Sequence, residues 1–150
     1  MDTISWKIIE ILQQNARISF ADLGKAVHLS APAVAERVKK LEEAGVITGY
    51  RANIDLEKVG YPINAMVQVR VFIGKEAEFV KFTKTRQEVL KCYNVTGEKA
   101  YMLKVAVQSM SQLDAMLEDF STLSETNSMI ILSTPIDASI IKGKEKSLKI

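Results

Sequence analysis

The chain has 150 residues, 47% hydrophobic and 25% charged, the balance of a globular protein and neither of a disordered nor of a membrane chain. Its net charge of +2 argues little for nucleic acid: residues 1–60 hold eight Lys/Arg against eight Asp/Glu, so any DNA reading rests on where the charges sit. Cys92 is the single cysteine, which excludes an internal disulfide and a cysteine-based zinc site and fits a reducing cytoplasm.

The stretch Met1–Lys7 has no basic region followed by an apolar run, so no signal peptide is expected. Ile4, Ile8, Ile11 and Leu12 then recur at helical spacing behind Asp2, an N-cap residue. Ser19 caps a second short helix carrying Leu23 and Val27, in which Ala21 and Leu23 are expected to face inward. His28-Leu29-Ser30 makes a turn. Ser30 caps a third helix with Pro32 in its first turn, Val34, Val38 and Leu41 on one face, and Gly45 as its stop near Ala44. Val46 to Ile54 alternates as a small hairpin or wing, and Lys58 to Pro62 marks the domain boundary.

Beyond it the period becomes two. Ile63, Ala65, Val67, Val69, Val71 and Ile73 alternate with Asn64, Met66, Gln68, Arg70 and Phe72. This most apolar stretch is too short and too polar to span a bilayer, and no membrane partner is expected. A helix over Glu76–Thr85, strands over Val89–Val95 and Ala100–Val107, a helix capped by Ser109 and a strand over Asn127–Ser133 complete β-α-β-β-α-β. Cys92, next to Leu90, is expected to be a buried thiol, and Met102, Met110 and Met116 to sit at core-like positions. The fold class is therefore α+β: a winged helix-turn-helix over 1–60, a ferredoxin-like βαββαβ domain over 61–137, and a flexible basic tail over 138–150.

A helix-turn-helix presents the start of its second helix to base edges. The outward residues of the third helix are Pro32, Ala33, Glu36, Lys39, Lys40 and Glu43, with Arg37 at the flank, placed to reach a phosphate or to pair with Glu36 or an acidic neighbour. Small residues at Ala31, Ala33 and Ala35 let the helix start approach the groove floor, although alanine is also simply the best helix former. Gly24 and Ala26 allow close helix approach. The expected DNA-binding set is Phe20, Ser30, Ala31, Pro32, Ala33, Ala35, Glu36, Arg37, Lys39, Lys40 and Arg51.

Ile18-Ser19, Leu23-Gly24-Lys25, Leu29-Ser30-Ala31-Pro32-Ala33-Val34, Glu36-Arg37-Val38, Leu41-Glu42 and Gly45-Val46-Ile47 resemble the Lrp/AsnC (leucine-responsive/asparagine regulator) family. The resemblance covers residues 2 to about 137. It implies a sequence-specific transcription regulator, cytoplasmic and nucleoid-associated, whose partners are double-stranded DNA, its own copies in dimers and octamers, and a small effector. The effector is expected near Thr96, Gly97, Glu98, Ala100 and Tyr101, in a turn that reads Gly-x-x-Asp in the family. Here Ala100 stands at the acidic position, so a weak response to ordinary α-amino acids is expected, with Glu98 as the alternative carboxylate. A second departure is Ser5-Trp6, where the family has Asp and a basic residue; Trp6 is expected to pack or to meet a second copy.

Two other readings remain open at this level. One is a nucleoid-architectural protein that wraps DNA without an effector. The remote one is an enzyme like the haem-pathway decarboxylases that resemble the same family. The single histidine, His28, lies in the helix-turn-helix, and no His/Asp/Ser or His/Cys constellation is present, so no catalytic residue, metal site or cofactor is expected.

Overall fold

The computed structural model describes residues 1–143, which pack as two compact units: Met1–Ala52 with the chain from Ile136 onward, and Asn53–Pro135. The first unit holds helices α1 (Thr3–Gln14), α2 (Phe20–Val27) and α3 (Ala31–Glu43). Each begins where a short polar side chain satisfies an otherwise unpaired amide. Asp2 accepts from the Ser5 N–H at 2.7 Å, Ser19 from Asp22 at 3.1 Å and Ser30 from Ala33 at 3.4 Å. Ile8, Leu23, Val27, Val34, Val38 and Leu41 form the core between the three helices. α3 stops at Gly45, whose φ of +68° suits a residue without a Cβ, and the Val46 N–H turns back to Leu41 O at 2.9 Å.

The wing is the clearest correction. No strand forms over Val46–Ile54, and Val46, Tyr50 and Ile54 are exposed. Alternating residues make a strand only where a neighbouring strand completes the ladder, and this segment has none within its own unit. Ala21 is exposed, so Leu23 alone of that pair faces inward.

The second unit contains β1 (Ile63–Val71), α4 (Glu76–Lys84), β2 (Val89–Asn94), β3 (Tyr101–Val107), α5 (Met110–Phe120) and β4 (Ser124–Ile130). Its four strands lie in the order β2-β3-β1-β4, every neighbour antiparallel, as a ferredoxin-like sheet requires. Ala65, Val67 and Val69 of β1 and Leu103, Val105 and Val107 of β3 pack on Phe79 of α4 and on Leu113, Met116 and Phe120 of α5. Aromatic rings tie the two helices together, with Phe79 at 5.7 Å and Phe82 at 5.0 Å from the Phe120 centroid.

Several expected positions move. β1 ends at Val71; Ile73 is fully exposed before Gly74, where φ is +81°. β4 begins at Ser124, three residues before the expected start, because its register is set across the sheet by pairs running from Val71–Ser124 to Ala65–Ile130. Cys92 is exposed: β2 is an edge strand whose residues after Val89 all face solvent, so alternation there carries no burial. Met116 is buried and Met102 half-buried, but Met110, at the exposed start of α5, is not a core residue. Of the basic stretch 138–150, residues 144–150 lie outside those described. Within the described part, both backbone groups of Ile141 bond the Gln13 side chain of α1.

Candidate nucleic-acid interface

The angle between α2 and α3 is set by a turn with no slack. His28 adopts the left-handed conformation (φ +58°) and the Leu29 N–H closes onto Gly24 O at 2.9 Å. A Cβ on Gly24 would lie 2.5 Å from Leu29 O, so only glycine lets the turn close this tightly. Val34, Val38 and Leu41 anchor α3 from below. Helical geometry then sends Pro32, Glu36, Lys39 and Glu43 to the opposite face, all exposed. Ala33 and Lys40 lie on one flank of that stripe and Ala31 and Ala35 on the other; the three alanines are half-buried.

The expected DNA set therefore divides. Ser30, Ala31, Pro32, Ala33, Ala35, Glu36, Lys39 and Lys40 come together along the first three turns of α3. Phe20 stands apart at the start of α2, 46% exposed, and Arg51 lies eight residues beyond the end of α3. Arg37 has an internal partner: its Nη1 donates to Asp2 Oδ2 at 2.7 Å and to Ser5 Oγ at 3.3 Å. This is the acidic-neighbour alternative, and it ties the cap of α1 to the middle of α3. The Ser5 N–H, and next the Arg37 guanidinium, hold the Asp2 carboxyl well below the usual carboxylate range. Lys39 meets Glu43 at 3.7 Å and Lys40 meets Glu36 at 3.4 Å, exposed pairs weak enough for a phosphate to displace.

In the sheet unit, Thr96, Gly97 (φ +110°), Glu98 and Lys99 form the exposed β2–β3 turn, with Ala100 and Tyr101 half-buried where β3 begins. Ala100 O accepts the Val95 N–H at 2.8 Å. Glu98 is engaged by Arg70 at 3.2 Å, and Arg70 donates through Nε and Nη2 to Glu125 at 3.1 and 2.7 Å. No residue of this turn lines the polar recess of about 320 Å³ bounded by Tyr61, Thr85, Arg86, Gln87, Glu88 and Gln112. Arg86 lines that recess, bonded to Glu88 two residues on at 3.2 Å and to Asp119 of α5 at 2.8 Å; the tie to Asp119 spans 33 residues, so the sequence did not signal it.

The AsnC-type helix-turn-helix domain matches residues 1–42, and the Lrp/AsnC ligand binding domain matches residues 64–141. The chain belongs to the Lrp/AsnC family. It is 32% identical to the transcriptional regulator LrpC of Bacillus subtilis, over 89% of this chain and 92% of that one. The leucine-responsive regulatory protein of Haemophilus influenzae is 38% identical over 78% of this chain and 72% of its own. A solved regulator from Neisseria meningitidis, in complex with L-methionine, superposes with a TM-score of 0.88 at 25% identity, covering 94% and 96% of the two chains. Like these Lrp/AsnC members, the protein is a DNA-binding transcription regulator with a C-terminal ligand-binding domain, in a family of regulators and not of enzymes. Among the described residues no helix is long and apolar enough to cross a membrane.

Proposed function

We propose that this regulator reads a paired DNA site with α3 as a dimer or higher assembly on the nucleoid, and that its effector is not an ordinary α-amino acid. The observation that carries the DNA part is the join of α2 to α3. A glycine-locked turn fixes the capped N-terminus of α3, where small side chains leave room for base edges. Pro32, Ala33 and Glu36 would face bases, while Ser30, Lys39, Lys40 and Arg51 would hold phosphates. Phe20 would support the second flank, and Arg37 would act by fixing α1 on α3.

The sheet supports assembly. Both helices pack on one face, and the other carries Met66, Gln68, Met102, Lys104 and Met129 with no covering element in its own unit. A face that mixes methionines with polar residues suits a second copy, with edges β2 and β4 available for further association. The paired half-sites of such a dimer would lie one helical turn apart, roughly 34 Å, or a multiple of it.

Footprinting on the DNA flanking its own coding region tests this. Ala33→Glu is expected to abolish specific protection, and Lys39→Ala to weaken binding equally on all sequences. A single half-site bound as tightly as the paired site would refute it. Ala100, together with the engagement of Glu98 by Arg70, also favours a second reading, an architectural DNA-wrapping protein without an effector. Strong protection of long, sequence-unrelated duplexes would select that reading.

A further inference from the structure

The recess of about 320 Å³ in the sheet unit lies where β1 and β2 begin and β3 ends. The β2–β3 turn, with Glu98 and Ala100, closes the opposite end of the same sheet. Ligand pockets begin at roughly 300 Å³, so the recess has room for a small molecule. Tyr61, Thr85, Arg86, Gln87, Glu88 and Gln112 line it, without one aliphatic side chain. Which ligand it suits is decided by the polar atoms that remain free.

Arg86 has little to offer an anion. Its Nη1 donates to Asp119 and its Nη2 to Glu88, its guanidinium stands 5.6 Å over the Phe82 ring, and its Nε is buried without a partner. Two carboxylates share this one cation, so the ion-paired group is net negative. Glu88 is the member that stays open. Its side chain is 16% exposed, Oε1 accepts from Arg86, and Oε2 has no hydrogen-bond partner among the described residues. Arg86 Nε is the one polar side-chain atom among them that is both unpartnered and sealed from solvent, so Glu88 Oε2 is within reach. Thr85 donates its hydroxyl proton to Phe82 O at 2.7 Å, and towards a ligand its oxygen can only accept. Gln112 is held twice, its N–H by Ser109 Oγ at 3.1 Å and its Oε1 by the Gln108 N–H at 2.8 Å, which leaves Nε2 as a fixed donor.

Two accepting oxygens, one of them charged, beside one neutral donor match an ammonium group joined to a hydroxyl or carbonyl. A phosphate or carboxylate would meet Glu88 with no free cation lining the recess to offset it. We propose that the recess binds a small amine without a carboxylate, its ammonium on Glu88 and Thr85 and a neutral oxygen at its other end on the Gln112 amide. Tyr61 makes this a regulatory position. It belongs to the stretch that leads from Ala52 of the helical unit into β1, held by its N–H on Leu56 O at 2.8 Å and by Asn64 Nδ2 on its own carbonyl at 3.5 Å. A ligand between Tyr61 and the Thr85–Glu88 turn bears on the foot of that connection. The effector role rests on the DNA-binding reading above; the binding does not.

Calorimetry on the full chain without DNA compares three probes of similar length: aminobutanol, butanediol, which lacks the ammonium, and hydroxybutyrate, which carries a carboxylate instead. Aminobutanol alone is expected to bind saturably. Glu88→Gln, which keeps an oxygen for Arg86, is expected to weaken it by roughly tenfold or more. Gln87→Lys is expected to do the same with every ion pair intact, by bringing a like charge to the recess, and it decides the matter where Glu88→Gln fails to fold. No saturable binding of aminobutanol, equal binding of hydroxybutyrate, or undiminished affinity in the variants overturns the site. Saturating aminobutanol is then expected to shift wild-type affinity for the footprinted duplex by about fivefold or more, and to leave that of Gln87→Lys unchanged. An unshifted wild type overturns the regulation while the calorimetric site stands. A wild type that binds no duplex even without the probe overturns the DNA-binding reading instead.

Discussion

Gly24→Ala tests whether the close turn between α2 and α3 is what places the recognition helix. Ordinary carbon–oxygen contacts begin near roughly 3.3 Å, and the new Cβ would sit at 2.5 Å from Leu29 O, a backbone atom that cannot rotate away. The turn must open by about 0.8 Å, stretching the bond from Leu29 N–H to Gly24 O and shifting Ser30 at the start of α3. Alanine in a helix interior gains up to about 1 kcal/mol over glycine, whereas overpacking costs about 1–3 kcal/mol. The expected net loss is about 1 kcal/mol, or a fall in Tm of roughly 4–8 °C for a unit of this size. Specific DNA affinity is expected to fall further, by roughly tenfold or more, because a displaced α3 loses base contacts worth about 1–3 kcal/mol each. Thermal unfolding and binding to specific and scrambled duplexes, at a temperature where both proteins are folded, separate the two effects. An equal or higher Tm with unchanged specific affinity would show that the turn has slack and would refute the reasoning.

Asp2→Asn retains a capping side chain but loses the charge facing Arg37. Since the folded carboxyl titrates below the ordinary carboxylate range, its contribution is complete above about pH 5 and is lost as pH falls below about 4; the gap between wild-type and variant melts should close over that acid range, and a gap that stays constant would exclude the assignment. Phe79→Ala removes a fully buried ring that lies 4.9 Å from Tyr101 and 5.7 Å from Phe120. It should destabilise the sheet unit by about 3–5 kcal/mol, measured by urea unfolding, and a loss under about 1 kcal/mol would contradict the packing. For the effector, calorimetry with the common α-amino acids is expected to show weak or no binding to the wild type and measurable binding to Ala100→Asp; a sub-micromolar complex of the wild type would end that argument.

What the sequence made legible is what is decided locally. Asp2, Ser19, Ser30 and Ser109 cap the helices they were expected to cap, because a cap needs only an amide two or three residues ahead. The period-two run through β1 is likewise local, and it marks the central strand of the sheet. The failures involve partners distant in sequence. β4 starts among Ser124, Glu125, Thr126 and Asn127, whose polarity hides a strand that only its register with β1 defines. The wing failed because no neighbouring strand completes a ladder with it, and Cys92 because it lies on an edge strand where alternation carries no burial. At the site, the α3 stripe was readable from helical spacing, but the Arg37–Asp2 tie spans 35 residues and the Gln13–Ile141 bonds span 128, and no local pattern encodes either.

The pairing of charges in the first unit also bears on why assembly belongs to the proposed function. A phosphate that takes Lys39 or Lys40 must draw it from Glu43 or Glu36, and each exposed pair opposes that by only about 0–1 kcal/mol, so the lysines are usable but add little attraction at long range. Glu36 and Glu43 lie exposed on the same face and, with α3 in the groove as proposed, would repel the backbone wherever no cytosine amino group met them. One such unit would therefore hold DNA weakly, and discriminate chiefly by rejecting wrong sequences. Joining two copies of the chain through the uncovered sheet faces, as proposed, would change the outcome without any new contact to DNA, because the second half-site would then be met at an effective concentration on the order of millimolar. A near-neutral reader coupled to a sheet with a free apolar-and-polar face is thus a consistent pair. In the proposed assembly the reader would keep single-site affinity low, and assembly would convert low affinity at each half-site into tight binding only where two half-sites lay at the right spacing.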